Sequence, residues 1–159
     1  MKRRTIFALA GPAAALVLAW FVFGKSAPQH DRRTLRPGDA RMPVLGHPIY
    51  QAHCAACHGE QLQGQPNWRE RGSDGLLPAP PHDASGHTWH HPDETLFRIT
   101  KFGVAKVAGI KGYATAMPVY NGVLSDEEIV AVLSWIKSQW PADVRAEHDQ
   151  INQQARSAP

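Results

Sequence analysis

The chain has 159 residues, which corresponds to about one domain. Its hydrophobic fraction of 43% is typical of a folded protein, and two cysteines are too few for a scaffold held by disulfides. The formal net charge is +3, but residues 1–26 contain four basic residues and no acidic residue, so the remainder carries −1. The folded part therefore lacks the basic character that nucleic-acid binding requires, and we expect no nucleic-acid partner.

The N-terminus combines a basic region at residues 1–4 with an uncharged, mainly apolar stretch at residues 5–24. A helix of this length spans about 30 Å, the thickness of the hydrocarbon core. The stretch is longer than the core of a usual signal peptide, and Trp20 lies near its outer end, as an interfacial anchor would. We therefore expect a single transmembrane anchor with residues 1–4 in the cytoplasm. The alternative is a signal segment cleaved near Ser26.

Residues 25–43 contain three prolines and little apolar surface, which predicts a semi-extended linker.

Both cysteines occur in one motif, Cys54-Ala55-Ala56-Cys57-His58, the attachment signature of a c-type haem. On a helical turn the thiols of Cys54 and Cys57 face the same side, so each can add to one vinyl group of a single porphyrin. His58 follows directly and can supply an axial imidazole. A redox pair would need a βαβ context, and a zinc site would need further ligands. The motif predicts one covalently bound haem c. Because this attachment occurs outside the cytoplasm, we expect the haem domain on the periplasmic face of a bacterial cytoplasmic membrane, or soluble in the periplasm after cleavage.

The remaining secondary-structure signals are helical. Ser125 and Glu128 form a capping box, and Pro141 predicts the end of the helix that follows. The apolar stripe of this helix comprises Ile129, Val132, Leu133, Ile136 and Trp140. Acidic residues at the start and Gly103 at the end predict another helix over residues 93–102. A helix before the haem motif should begin near Gly46 or His47, because Pro48 is acceptable only in a first turn. The pattern predicts an all-α protein.

Residues 43–140 resemble class I cytochromes c, on the haem motif and on Gly46 and Tyr50 in the helix before it. The resemblance implies a cytochrome c fold of three to four helices wrapped around one haem, with the domain at residues 44–140. In that family the first and last helices cross, which would bring Val132 and Trp135 against Gly46 and Tyr50. Residues 141–159 are polar and predict a C-terminal tail, either a short helix or frayed.

The same resemblance implies the other haem contacts. Met117, followed by Pro118, resembles the distal ligand loop and would supply the second axial ligand. A distal histidine is the alternative second ligand. Residues 59–92 predict an irregular loop that wraps the haem. Within that loop, Pro80 resembles the proline whose carbonyl accepts the second imidazole N–H of the haem histidine, although the usual Gly-Pro-x-Leu form is absent. Trp89 would donate to a haem propionate, and Tyr50 and Trp135 would line the pocket.

These features predict a one-electron carrier or electron-transfer subunit that exchanges electrons with redox partner proteins, and not an enzyme. Two alternatives remain open. A labile distal ligand would make the chain a haem protein acting in catalysis or sensing. The histidines at positions 82, 87, 90 and 91 would instead favour a second metal site, as in a metal-handling accessory protein.

Overall fold

The computed structural model describes residues 33–158. Within this range the chain folds into α-helices joined by irregular segments, and no β-strand is formed, which confirms the predicted all-α class. The helices are α1 (Arg41–His53), α2 (Ala55–His58), α3 (Asp93–Phe102), α4 (Val104–Ala108), α5 (Asp126–Ser138) and α6 (Ala142–Ser157), with a 3₁₀ turn at Thr88–His90. No described helix has both the length and the apolar character to span a membrane, and the span predicted at residues 5–24 lies outside the described residues.

Helix α5 is the central element of the core. Ser125 accepts a hydrogen bond from the Glu128 N–H, and the Glu128 carboxylate accepts one from the Ser125 N–H, so the predicted capping box is present. Residues 129–134 of the helix are all buried, and Ile129 and Val130 are completely so. Helices α1 and α3 cover it, and Phe97 of α3 is almost fully buried. This core fixes the positions of the segments that carry the haem motif.

Helices α1 and α5 cross in close contact, as the resemblance implied, and Gly46 allows the approach. A Cβ at this position would collide with the Ala131 carbonyl and lie 2.9 Å from the Trp135 Cβ, so only glycine fits. The backbone that faces Gly46 therefore belongs to Ala131, one residue before the expected Val132. Tyr50, one turn further along α1, packs against the Trp135 ring with 4.7 Å between centroids.

The start of α1 corrects the sequence prediction. The helix begins at Arg41 rather than near Gly46, and Pro48 lies inside it. Pro48 and Val44 are both exposed, so the Val44 carbonyl that loses its helical donor can be hydrated. Met42 on the opposite face is 3% exposed, and its burial stabilises the additional turn.

The described end of the predicted linker is also packed against the domain. Leu35 is buried, its N–H donates to the Asp93 carboxylate at 2.9 Å, and the Arg36 N–H donates to Ser134 Oγ at 2.9 Å. Residues 33–40 are therefore a structural part of the domain, where a semi-extended tether was expected.

The polar C-terminal residues form α6, which is longer than the short helix or frayed tail that the sequence predicted. His148 and Asn152 are its buried residues. His148 Nε2 donates to the His91 carbonyl at 3.0 Å, and Asn152 accepts from the Asp93 N–H at 2.8 Å while donating to the Asp93 carboxylate. A cluster of polar residues, His148, Asn152 and Asp93, thus holds α6 against the start of α3. A hydrophobicity pattern does not predict this contact, because the residues that make it are polar.

Candidate haem site

The haem motif lies at the junction of α1 and α2. Cys54 ends α1, and its carbonyl accepts hydrogen bonds from the N–H groups of Cys57 and His58 at 3.1 and 2.9 Å. Cys54 and Cys57 therefore bracket one hydrogen-bonded turn of the chain. Cys54 is half-buried and Cys57 is exposed, and neither forms a disulfide. Burial, with a smaller effect from Cys57, raises the pKa of the Cys54 thiol to about 11, so the group is protonated at neutral pH.

His58 is held by a single directed bond. Its Nδ1 lies 2.8 Å from the Pro80 carbonyl, which can only accept, so Nδ1 carries the proton. This is the contact that the resemblance implied. Within residues 33–158 the other ring nitrogen, Nε2, makes no hydrogen bond and keeps its lone pair free. Burial lowers the pKa of His58, against the opposing effect of the Pro80 bond, which favours a neutral ring.

The backbone around Pro80 is confined by two glycines. A Cβ at Gly64 would collide with the Pro81 nitrogen, and one at Gly86 would collide with the Pro81 carbonyl. Gly64 also donates its N–H to the His58 carbonyl at 2.8 Å. The loop over residues 59–92, called here the proximal segment, is therefore irregular but closely packed where it meets His58.

His82 is a neighbour of His58 that sequence reasoning did not identify. The two imidazole rings stack with 3.9 Å between centroids and 25° between planes. In the sequence His82 belongs to the same loop as three other histidines, at positions 87, 90 and 91. Its position two residues after Pro80 was the signal that could have separated it from them.

Tyr50 and Trp135 support the motif from the core side. Tyr50 is fully buried, and its hydroxyl donates to the Gly59 carbonyl at 2.8 Å, directly after the haem motif. Burial raises the pKa of Tyr50, so the hydroxyl stays protonated and remains a donor. Trp135 lies between the rings of Tyr50 and His47. These two residues connect α1, α5 and the turn after His58.

The structure gives Trp89 a different role from the expected one. Its indole N–H donates to the Ala84 carbonyl at 3.3 Å, and its ring stacks on His90 with 3.6 Å between centroids. The donor that was expected to reach a haem propionate is thus directed at the backbone of its own loop.

The histidines between positions 82 and 91 do not form a common site. His87 stacks on Trp68, His90 stacks on Trp89, and His82 stacks on His58. In the part of the chain that the structure describes, no three His, Cys, Asp or Glu side chains are grouped so that they could hold a metal ion. The hypothesis of a second metal site therefore has no support there.

Met117 lies in residues 109–119, called here the distal segment. Apart from Tyr113 and Met117, which are half-buried, every residue of this segment is exposed. The Met117 N–H donates to Thr115 Oγ1 at 3.1 Å. Tyr120, just beyond, is buried and donates its hydroxyl to the His53 carbonyl at 2.6 Å. The end of the segment is therefore fixed beside the haem motif, whereas Met117 itself has few contacts.

The donor set fits a covalently bound haem. Two free thiols lie on one turn, and a neutral imidazole follows them with Nε2 unbonded in the described chain. The second ring nitrogen is fixed by a carbonyl, which is the usual arrangement for a metal-binding histidine. The site would therefore hold the haem through Cys54 and Cys57 and the iron through His58.

Comparison with known proteins agrees with this chemistry. A family model described as "Cytochrome C oxidase, cbb3-type, subunit III" matches residues 41–136, more than half of the 159-residue chain. No curated protein and no solved structure matches the chain. The matched range begins with α1 and ends inside α5, and it contains the complete haem motif. The chain belongs to this family, so it is a c-type cytochrome domain that carries covalently attached haem c and serves as an electron carrier, not as an enzyme.

Proposed function

We propose that this chain transfers single electrons through one haem c whose iron is bound by His58 and Met117. When bound, the haem supplies an iron that alternates between the ferrous and ferric states. The observation that carries the proposal is the 2.8 Å bond from His58 Nδ1 to the Pro80 carbonyl, since the other ring nitrogen, Nε2, makes no hydrogen bond within the described residues.

His58 would act as a fixed, neutral donor. The Pro80 carbonyl holds the tautomer and increases the electron density of the ring, which strengthens the ligand. The buried surroundings of Tyr50 and the packed proximal segment limit the access of water to this side. Low reorganisation around the ligand favours rapid electron transfer, because the ring does not need to move between the two oxidation states.

Met117 is the proposed second ligand. It is the only methionine after the haem motif, and Pro118 restricts its backbone to extended conformations. A thioether is a soft, neutral ligand and raises the reduction potential relative to a second histidine. With His58 and Met117 both holding the iron, no open ligand position would remain for a substrate, which agrees with the role of a carrier.

We further propose that the domain faces the periplasm and is attached to the cytoplasmic membrane by residues 5–24. The length and apolar character of that stretch support this location, as does the need for an extracytoplasmic site of haem attachment. The name of the family suggests that the partners are redox components of an oxidase assembly.

The ligand assignment can be tested with Met117→Leu in the haem-loaded protein, with Met42→Leu as the matched control. Met117→Leu should remove the weak absorption band near the red end of the oxidised spectrum, lower the reduction potential and allow carbon monoxide to bind the ferrous form. Met42 is buried in α1, so its replacement should leave all three properties unchanged. A Met117→Leu protein that keeps the native spectrum and excludes carbon monoxide would contradict the assignment.

The location can be tested by fractionation of cells that express the full chain. A haem-stained protein that stays with the membranes and retains its N-terminus would support the anchor. A form released without detergent, with an N-terminus near Ala27, would overturn the anchor in favour of the cleaved signal segment. Migration of the haem-stained protein with an oxidase assembly in mild detergent would support the proposed partners, and migration only as a free subunit would oppose it.

A further inference from the structure

The ring of His82 lies flat against the ring of His58, with 3.9 Å between centroids and 25° between planes. The Pro80 bond fixes His58 at one atom, Nδ1. A ring fixed at one atom can still turn about that contact, and the face of His82 closes the space into which it would turn. Two independent contacts therefore define both the position and the plane of the His58 imidazole.

His82 is itself held from several directions. Its Nδ1 lies 2.8 Å from Thr88 Oγ1, whose hydroxyl donates to the Pro81 carbonyl, so His82 Nδ1 is the donor of this pair. Its backbone N–H donates to the Leu62 carbonyl at 2.8 Å, and its carbonyl accepts from the Trp140 indole at 2.7 Å. Trp140 and Thr88 are both buried. The stacked ring thus belongs to a network that is anchored in the core.

Burial, assisted by the neighbouring His58 and His87, lowers the pKa of His82 well below its usual value. Two neutral rings can stack without the repulsion that two imidazolium ions would suffer.

We propose that His82 is a positioning residue that sets the plane of the His58 imidazole and excludes water from its outer face. This inference rests on the proposed function, because it matters only if His58 binds the iron. The orientation of an axial imidazole and the solvent access around it are two means by which a protein tunes a haem. The role depends on a flat ring at position 82 and not on a charge.

The test uses the haem-loaded protein with His82→Ala and His82→Phe, and His87→Ala as the matched control. His82→Ala removes the ring and admits water, so the ferric electron paramagnetic resonance signal should shift and broaden, and the reduction potential should fall because water stabilises ferric iron. His82→Phe restores a flat ring and should return the g-values to those of the native protein. His87 stacks on Trp68 and does not touch His58, so its replacement should leave both readouts unchanged.

A second variant covers the case in which His82→Phe fails to fold. Thr88→Val removes the bond that orients the His82 ring and should shift the signal in the same direction as His82→Ala, by a smaller amount. Native g-values in His82→Ala, or equal shifts in the Ala and Phe variants, would overturn the proposal. Failure of the proposed function is distinguishable, because the unmodified protein would then lack the low-spin spectrum of an iron with His and Met ligands.

Discussion

The proximal segment packs against one proposed ligand, His58, and the distal segment carries the other, Met117, but the protein prepares the two ligands to different degrees. In the proximal segment Gln65 bonds to Ala79, His82 bonds to Leu62, and the Pro80 carbonyl holds His58. In the distal segment most side chains are exposed, and Met117 has one short-range bond to Thr115. The comparison teaches that the polypeptide itself fixes the proposed histidine ligand through Pro80, whereas the proposed thioether ligand has no comparable support from the described chain.

The largest effect should come from the covalent bonds on the proximal side. Replacing both Cys54 and Cys57 by Ser removes the two thiols that attach the haem, so we expect the covalent haem signal to be lost completely. Haem staining after denaturing electrophoresis measures this directly. His90→Ala, an alteration in the same region that leaves the motif intact, should retain full staining. Covalent haem in the double cysteine variant would contradict the attachment sites.

Alanine substitutions at two glycines test how closely each segment is packed. Gly86→Ala places a Cβ against the Pro81 carbonyl, so we expect a loss of about 3 kcal/mol in the free energy of unfolding. At Gly112 an added Cβ would meet open space, so Gly112→Ala should lower the free energy of unfolding by about 1 kcal/mol, which is the strain of its positive φ of 71° alone. Denaturant unfolding of both variants gives the two values. Equal losses would mean that the proximal segment is no more closely packed than the distal one.

Acid should loosen α6 and the end of the proximal segment that it contacts, but not the distal segment. Burial lowers the pKa of His148, with the Lys137 cation acting in the same direction and Asp93, Asp149 and the His91 carbonyl opposing it. Because the folded pKa lies below the unfolded value of about 6.5, the unfolded chain takes up the proton first. The contribution of neutral His148 to the stability of the fold is therefore complete above about pH 6.5 and declines as the pH falls.

Amide hydrogen exchange can locate this effect. Between about pH 7.5 and pH 5.5, and after correction for intrinsic rates, exchange should increase in residues 82–93 and 142–157 but not in residues 109–119. His148→Gln should remove most of the increase in α6, whereas His47→Gln, at an exposed position, should not. An increase confined to the distal segment would refute this account.

The smallest effect should come from one contact that joins the two segments. The Arg71 guanidinium lies 5.5 Å from the centre of the Tyr113 ring. The Arg71 guanidinium also donates a hydrogen bond to the Gly75 carbonyl at 2.6 Å. The cation–π contact should contribute about 0.5 kcal/mol and the exposed hydrogen bond a similar amount, so Arg71→Ala should lower the unfolding free energy by no more than about 1 kcal/mol. Exchange in residues 109–117 should increase slightly. Arg69→Ala, whose guanidinium lies over Trp68 within the proximal segment, should leave that exchange unchanged.

The features that the sequence predicts correctly have local signals. The capping box at Ser125 and the bounds of α3 depend on residues within one or two turns, and the haem motif is contiguous. The early start of α1 depends instead on the burial of Met42 in the core. The local sequence does not reveal this burial, and Pro48 by itself predicts a later start. The same distinction between local and tertiary signals applies to two residues of the site, Pro80 and His82.

For Pro80, the resemblance to the loop of class I cytochromes c predicts the contact to His58 that the structure shows. The stacking of His82 on His58 joins residues that are 24 positions apart, and it requires the fold to bring them together. For Trp89, the sequence predicts a donor to a haem propionate, and the described chain pairs its indole N–H with the Ala84 carbonyl of its own loop. Residue type limits what a side chain can do, but tertiary packing selects its partner.

The Asp93 carboxylate joins the two ends of the described chain. One oxygen accepts from the Leu35 N–H, and the other accepts from Asn152 of α6. Force applied to the domain from its N-terminal side would therefore be shared with α3 and α6 through this carboxylate, and with α5 through the bond from the Arg36 N–H to Ser134. If residues 5–24 anchor the chain as proposed, these contacts would carry part of any pull from the anchor in parallel with the covalent path to α1 and the haem motif.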